Sequence, residues 1–281
     1  MRALRKGPVN SIEPPPLRFA KHPESAGDLR PTWPAGSRVR RDTSLGLAGR
    51  IISRPLSRPQ HILDEQNPCE GAMLVIDHRL NHNDAFPVPF VRSPNISGAL
   101  KKQDFIIVHF TEGQTAEAAV RVLTKKKGDR SAHLVIGRDG SITQLVPFDV
   151  VAWHTGPSAW KDRKGLAPYS IGIELDNAGP MVAKAGRWLA SFGRAYPPDQ
   201  VVQAPHKHGG RYKAWHSYPH VQVAATIEAI SALILEYGPM EILGHDDISP
   251  KRKWDPGPAF PMNLVLGAVA AKTVLRRRVD G

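Results

Sequence analysis

Apolar residues recur along the chain with the two periods that distinguish strands from helices. Residues 105–111 are apolar on both alternating faces, which is typical of a central strand covered on both sides. Asp139-Gly140 lies between two apolar runs and predicts a hairpin turn. The predicted strands are 73–77, 105–111, 131–136, 141–146 and 169–175, and the predicted helices are 115–124, 221–237 and 263–277.

This mixture of strands and helices predicts an α/β fold with a mixed central β-sheet flanked by helices. The pattern of predicted strands and helices begins near residue 72. We therefore expect a single domain over 72–281, within the usual size range of one core. The segment 203–220 precedes the long predicted helix and is expected to be an inserted loop.

The first 71 residues have a different composition. Ten of the 26 prolines lie in residues 1–70 without a sustained apolar period, which predicts a disordered or loosely draped tail. Residues 1–60 hold twelve Lys and Arg against four Asp and Glu, a net +8 of the total +12. Such a tail attracts polyanions, and we expect anionic cell-envelope polymers as its partners. No aromatic-basic interleaving or helix-turn-helix pattern supports a specific nucleic-acid interface.

Three absences in the sequence narrow the class of protein. No stretch reaches the roughly 18 to 20 apolar residues that span a bilayer, so we expect no transmembrane segment. Pro8, Asn10 and Glu13 interrupt the place where a secretion signal would be apolar, which predicts no cleavable signal. The cytoplasm is then the default compartment, with envelope or phage-mediated delivery left open. A single cysteine, Cys69, excludes an intramolecular disulfide, and we expect a monomer.

Candidate metal ligands stand at the end of one predicted strand and in a later segment. His109 lies near the carboxyl end of its strand, where α/β sheets place ligands, and His245 and Asp255 follow ten residues apart. Two imidazoles and one carboxylate leave a fourth position open to water, which is a known catalytic zinc arrangement. From the spacing alone, a surface loop with solvated charges explains the later segment equally well.

Two further side chains have suitable chemistry. If 253–255 is extended, Lys253 projects to the same side as Asp255, where its ammonium group would stabilise an oxyanion. In 169–175, Ile171 and Ile173 face one way and Glu174 faces the other, where its carboxylate could accept a proton from a metal-bound water. Taken alone, Glu174 is explained as well by an ordinary exposed strand position.

Seven segments follow one another in order between residues 72 and 262. They are Ile107-Val-His-Phe-Thr111, Ser131-Ala-His133, Arg138-Asp-Gly140, Gln144-Leu-Val-Pro147, Ala152-Trp-His-Thr-Gly156, Ser170-Ile-Gly-Ile-Glu-Leu175 and the segment from Gly244 to Phe260. Together they resemble the type-2 N-acetylmuramoyl-L-alanine amidases, a superfamily that includes phage amidases and peptidoglycan-recognition proteins. The resemblance is strongest to the bacterial branch that recycles or trims muropeptides, and the last segment is its most specific motif.

The resemblance implies a role for each candidate residue. It implies one zinc ion held by His109, His245 and Asp255, with Glu174 as general base and Lys253 as transition-state stabiliser. The domain 72–281 is then a catalytic domain that hydrolyses the amide bond between the lactyl group of N-acetylmuramic acid and L-alanine, in peptidoglycan or muropeptides. The alternative is a non-catalytic peptidoglycan-binding protein on the same fold, a role usually accompanied by loss of a zinc ligand.

The roles of several other residues are less specifically indicated by the sequence. The resemblance implies that Trp153 and His154 lie along the substrate groove, and we expect a structural or orienting role for His133. Phe110 departs from the neighbour usual in the family, a change that should only tune packing. The segment 205–220 holds four histidines at spacings that match no metal motif, so a solvated loop beside the groove is favoured over a second metal site.

The basic tail yields a test that needs only the sequence. We expect deletion of residues 1–70 to weaken adsorption to whole cell walls at low salt, because exposed charges are screened as salt rises. Turnover of a soluble muropeptide should be unchanged. Sedimentation of both chains with purified walls measures this, and equal adsorption would rule the role out.

Overall fold

The computed structural model describes residues 73–82 and 86–279, so the predicted tail over 1–71 lies outside the described residues. The helices are α1 (Ala116–Leu123), α2 (His220–Tyr237), α3 (His245–Ile248) and α4 (Met262–Val279). The strands are β1 (Met73–Ile76), β2 (Arg79–His82), β3 (Phe86–Pro87), β4 (Ile96–Ala99), β5 (Phe105–Phe110), β6 (Leu134–Ile136), β7 (Ile142–Gln144), β8 (Val150–Ala152), β9 (Ala159–Trp160), β10 (Arg163–Lys164), β11 (Ser170–Leu175), β12 (Pro180–Lys184), β13 (Arg187–Ala190), β14 (Ala195–Tyr196), β15 (Val201–Gln203), β16 (Ala214–His216) and β17 (Glu241–Gly244).

Five strands form the central sheet in the order β17-β5-β11-β6-β7. The first four are parallel to one another, and β7 returns antiparallel to β6. Gly140 turns this hairpin with φ of +85°, a backbone conformation that a side chain would strain. The predicted mixed central sheet flanked by helices is therefore confirmed.

The two faces of the central sheet pack against different layers. Ile106 and Val108 of β5 face α2 and α4 in the largest hydrophobic core. Ile107 faces the other way and packs with a smaller cluster that includes Leu243 and Ile248. Because side chains alternate along a strand, His109 lies on this second face. The second face is the one that carries the polar chemistry.

Helices α2 and α4 lie against each other on the first face of the sheet. Glu228 of α2 pairs with Lys272 and Arg276 of α4, which adds an electrostatic link to their apolar contact. Among the helices of residues 73–82 and 86–279, none is long and apolar enough to cross a membrane.

A second five-stranded sheet occupies residues 180–216, and it is antiparallel in the order β14-β13-β12-β16-β15. The prediction of a solvated loop at 205–220 is wrong, because Ala214–His216 form the inner strand β16. Trp215, His206 and His216 are buried. The indole N–H of Trp215 donates to the carbonyl of Ala204 at 2.9 Å, so burial leaves this donor satisfied.

Gln144 joins the first hairpin of the described chain to the central sheet. Its buried Oε1 accepts the backbone N–H of Leu80 at 2.9 Å, and its Nε2 donates to the carbonyls of His78 and Val146 at 3.0 Å each. The bonds with Leu80 and Val146 satisfy buried backbone groups.

We expect Gln144→Ala to lower the free energy of unfolding by about 2–3 kcal/mol, because it leaves buried backbone groups without partners. The midpoint of urea unfolding measures the change. Gln203→Ala, at an exposed position of β15, is the matched control and should change stability by less than about 0.5 kcal/mol. Equal midpoints for the two variants would contradict this role of Gln144.

Candidate metal centre and active site

Three candidate ligands converge on the second face of the central sheet. His109 is the fifth residue of β5, and His245 begins α3 directly after β17, the neighbouring parallel strand. Asp255 lies in the loop that follows α3. The three residues are only 1%, 3% and 5% exposed. The sheet and the loop thus bring together residues that are up to 146 positions apart.

The donor atoms of the three side chains face one point. Nδ1 of His109 lies 2.9 Å from Nδ1 of His245 and 3.0 Å from Oδ2 of Asp255, and the third separation is 2.9 Å. Among the described residues, this is the one group of His, Cys, Asp and Glu side chains with the geometry to hold a metal ion. The histidines of 205–220 take no part in such a group.

The protonation states suit metal ligands. Burial, together with the nearby His245, lowers the pKa of His109 to about 4, so the imidazole is neutral at pH 7. Burial alone would raise the pKa of Asp255, but hydrogen bonds with His109 and His245 hold it below its usual range. The neutral imidazole of His109 and the ionised carboxylate of Asp255 are therefore available to a cation.

Backbone and side-chain contacts hold the segment that carries two of these ligands. The N–H of Asp246 donates to the carbonyl of Asp255 at 2.8 Å, which ties the loop back to α3. The guanidinium of Arg252 donates to the carbonyl oxygens of Thr155 and Pro157 at 2.8 and 3.0 Å. The segment is thereby fixed to the loop that follows β8.

Glu174 stands beside His109 because β11 pairs in parallel with β5 and places these two residues opposite each other. Its Oε2 is enclosed and has no hydrogen-bond partner within the described part of the chain. Burial, and secondarily the charge of Asp255, raises the pKa of Glu174 to about 8. A carboxyl oxygen without a protein partner is positioned to bond a ligand or water in the cavity.

Lys253 lies two residues before Asp255, and its backbone N–H donates to the carbonyl of Ser249 at 3.0 Å. Its positive charge lowers the pKa of both Glu174 and His109. At Glu174 this opposes the larger effect of burial, and at His109 it adds to that effect. Lys253 lines the same cavity as the candidate ligands.

His154 lies behind His109. Its Nδ1 is 3.0 Å from Nε2 of His109, and its Nε2 is 3.2 Å from the hydroxyl of Ser170. The ring fits there because Gly172 has no side chain: a Cβ at this position would come within 2.5 Å of the imidazole. Both ring nitrogens of His154 have protein partners, which favours orientation of His109 over the substrate contact implied by the resemblance.

Trp153 points outward, and 38% of its surface is exposed. Its indole N–H donates to the hydroxyl of Ser97 at 2.7 Å, which holds the ring at the rim of the site. His133 is buried between strands, where its Nδ1 accepts the backbone N–H of Gly172 and its Nε2 lies 2.9 Å from the carbonyl of Val150. The structural role expected for His133 is confirmed.

All seven predicted site residues line one cavity of about 660 Å³. Helix α1 forms part of its wall, and Arg130 and Arg252 add positive charge to its lining. Sequence reasoning missed Arg252 and Asp246, which hold the ligand segment. The signal for them in the sequence is their position between His245 and Asp255, because the partners of Arg252 lie 97 and 95 positions away.

Comparisons with known proteins identify the family of the chain. The Amidase_2 family model, described as N-acetylmuramoyl-L-alanine amidase, matches residues 99–258. N-acetylmuramoyl-L-alanine amidase AmiD of Escherichia coli (strain K12) is 30% identical over 165 residues, 56% of this chain and 49% of AmiD. The 1,6-anhydro-N-acetylmuramyl-L-alanine amidase AmpD of the same strain is 35% identical over 133 residues, 46% of this chain and 53% of AmpD. The chain thus spans about half the length of these curated relatives.

The fold is also found in the crystal structure of selenomethionine-substituted AmpD. That structure aligns with a TM-score of 0.50 and 24% identity, over 70% of this chain and 99% of the other. The family match covers more than half of the chain and contains all seven predicted site residues. This chain therefore belongs to the N-acetylmuramoyl-L-alanine amidase family.

Proposed function

We propose that this chain is a zinc-dependent amidase that hydrolyses the bond between the lactyl group of N-acetylmuramic acid and L-alanine, in peptidoglycan or muropeptides. The observation that carries the proposal is the convergence of three buried donor atoms, 2.9–3.0 Å apart. Next to them is a carboxyl oxygen of Glu174 that has no hydrogen-bond partner among residues 73–82 and 86–279. Membership in the amidase family supports the choice of reaction.

The donor set fits zinc. Two imidazole nitrogens and one carboxylate oxygen are ligands that zinc takes in catalytic sites, where a fourth position stays open. Ligand atoms around a tetrahedral zinc stand about 3.3 Å apart, given bond lengths of about 2.0–2.1 Å, so a small adjustment of His109, His245 and Asp255 would admit the ion. Zinc, when bound, would lower the pKa of a water molecule to about 7 and polarise the substrate carbonyl.

Glu174 and Lys253 supply the remaining chemistry in this proposal. In its ionised form, Glu174 takes the proton of the water that attacks the lactyl carbonyl, and later delivers it to the alanine nitrogen as the carbon–nitrogen bond breaks. The ammonium group of Lys253 stabilises the negative charge that develops on the carbonyl oxygen. The products are a carboxylic acid on the sugar and a free amino group on alanine.

The rim of the cavity suits a sugar with an attached peptide. Trp153 offers an exposed ring face, on which a sugar ring could stack. The names of the relatives AmiD and AmpD state action on N-acetylmuramoyl-L-alanine and on its 1,6-anhydro form. We propose the same linkage for this chain.

Glu174→Gln should lower kcat/KM by about 10²- to 10⁴-fold, because it removes the proton acceptor while keeping the size of the side chain. The assay follows newly freed alanine amino groups from a muramoyl peptide, and metal analysis should show unchanged zinc content. Glu236→Gln, on the exposed side of α2, is the matched control and should retain wild-type activity. A Glu174→Gln enzyme within tenfold of wild type would refute the assigned role.

Removal of the metal gives a second test. A chelator should abolish hydrolysis, and stoichiometric zinc should restore it. Zinc should also raise the thermal midpoint, since free zinc at a thousand times Kd stabilises the folded chain by about 4 kcal/mol. His109→Ala should lose both effects, whereas His220→Ala, at an exposed position, should keep them.

These measurements also separate the enzyme from a non-catalytic peptidoglycan-binding protein on the same fold. Such a protein would bind muropeptide but release no amino groups, with or without zinc. Hydrolysis that survives complete chelation would contradict the zinc mechanism itself.

A further inference from the structure

The loop between β15 and β16, residues 204–213, reaches the segment that carries two of the three candidate ligands. We propose that His206 in this loop is a positioning residue, which holds His245 and Asp255 at the spacing that the metal requires. The inference rests on the proposed function, because it concerns the same zinc site.

One nitrogen of His206 contacts the residues that lie next to two of the candidate ligands. Nε2 lies 2.9 Å from Oδ2 of Asp246 and 3.2 Å from the carbonyl oxygen of Trp254. Asp246 directly follows His245, and Trp254 directly precedes Asp255. A single N–H therefore joins the neighbours of two ligands.

The second sheet fixes the position and the tautomer of this ring. Nδ1 of His206 accepts the backbone N–H of His208 at 3.2 Å, so Nε2 is the nitrogen that donates. The ring is buried, and its centre lies 5.5 Å from that of Trp215. Lys207 pairs with the other carboxylate oxygen of Asp246 at 2.9 Å. The carboxylate is thus held on both sides by neighbouring residues of one loop.

The carboxylate that this loop holds belongs to Asp246, and the backbone of Asp246 also contacts Asp255, the third candidate ligand. The N–H of Asp246 donates to the carbonyl of Asp255, so a shift of Asp246 moves both ligand-bearing positions. Helix α3 has only four residues and cannot be stable without tertiary contacts. The 2.9 Å separation of the donor atoms of His245 and Asp255 therefore depends on contacts such as that of His206.

The test compares two substitutions in the full-length chain. His206→Phe keeps an aromatic ring beside Trp215 but removes the N–H donor, whereas His206→Gln retains a donor. We expect His206→Phe to bind zinc about 10-fold more weakly, the low end of the loss caused by removing a direct partner of a ligand, because His206 bonds the neighbours of two ligands. His206→Gln should restore most of the affinity. Competition with a fluorescent zinc chelator measures affinity without reference to activity.

His216→Phe is the matched control. His216 is also buried in the second sheet, but its Nδ1 accepts the N–H of Ala178 at 3.1 Å, and no hydrogen bond joins its side chain to the described residues 245–255. This variant should lower the thermal midpoint and leave zinc affinity unchanged. Unchanged affinity in His206→Phe, or an equal loss in His216→Phe, would overturn the proposal.

A measurement on the wild-type chain covers the case in which His206→Phe does not fold. Coupling between sites is reciprocal, so zinc should stabilise the loop that positions its ligands. We expect zinc to slow amide hydrogen exchange in 204–208 as well as in 245–255, but not in the β12–β13 turn at 185–186. Protection of 245–255 alone would overturn this inference and leave the zinc site intact. Absence of any zinc binding would contradict the proposed function as well.

Discussion

The parallel pairing of β5 with a strand on each side is the constraint on which the candidate site depends. β11 places Glu174 opposite His109, and β17 runs beside β5 up to Gly244, so that His245 begins at the same edge. The backbone hydrogen bonds of these two strand pairs thereby position His109, His245 and the candidate base Glu174. A shift of β11 by one residue would turn Glu174 toward the core formed with α2 and α4 and bring an apolar side chain into the cavity.

The same arrangement buries the carboxylate charge of Asp255, which a cation would stabilise. With Asp255 ionised, the ligand set includes a negative charge at a position that is almost inaccessible to water. A buried carboxylate is costly unless it is paired and hydrogen-bonded, and a divalent ion would compensate it more fully than the imidazoles do. Metal binding and the ordering of 245–255 should therefore be coupled.

The apolar runs predicted four of the five central strands, β5, β6, β7 and β11, but not the short edge strand β17. The alternation in β11 was enough to assign the face of Glu174. The second sheet was not predictable, because its strands are two to five residues long and several are exposed. Its pairings are also remote in sequence: Pro180 lies opposite Trp215. The orientation of His154 was equally inaccessible, since it depends on the space left by Gly172 on another strand.

The three candidate ligands are held with unequal rigidity. His109 belongs to a six-residue strand that is buried throughout, so its backbone is fixed by the sheet itself. His245 and Asp255 belong to a one-turn helix and a loop, whose geometry comes from contacts with remote residues such as those of Arg252. Substitutions that change metal affinity should therefore act mainly through the helix and loop that carry His245 and Asp255. Since the second sheet packs against that helix and loop, a change in the sheet can alter the spacing of the ligand atoms without touching metal or substrate.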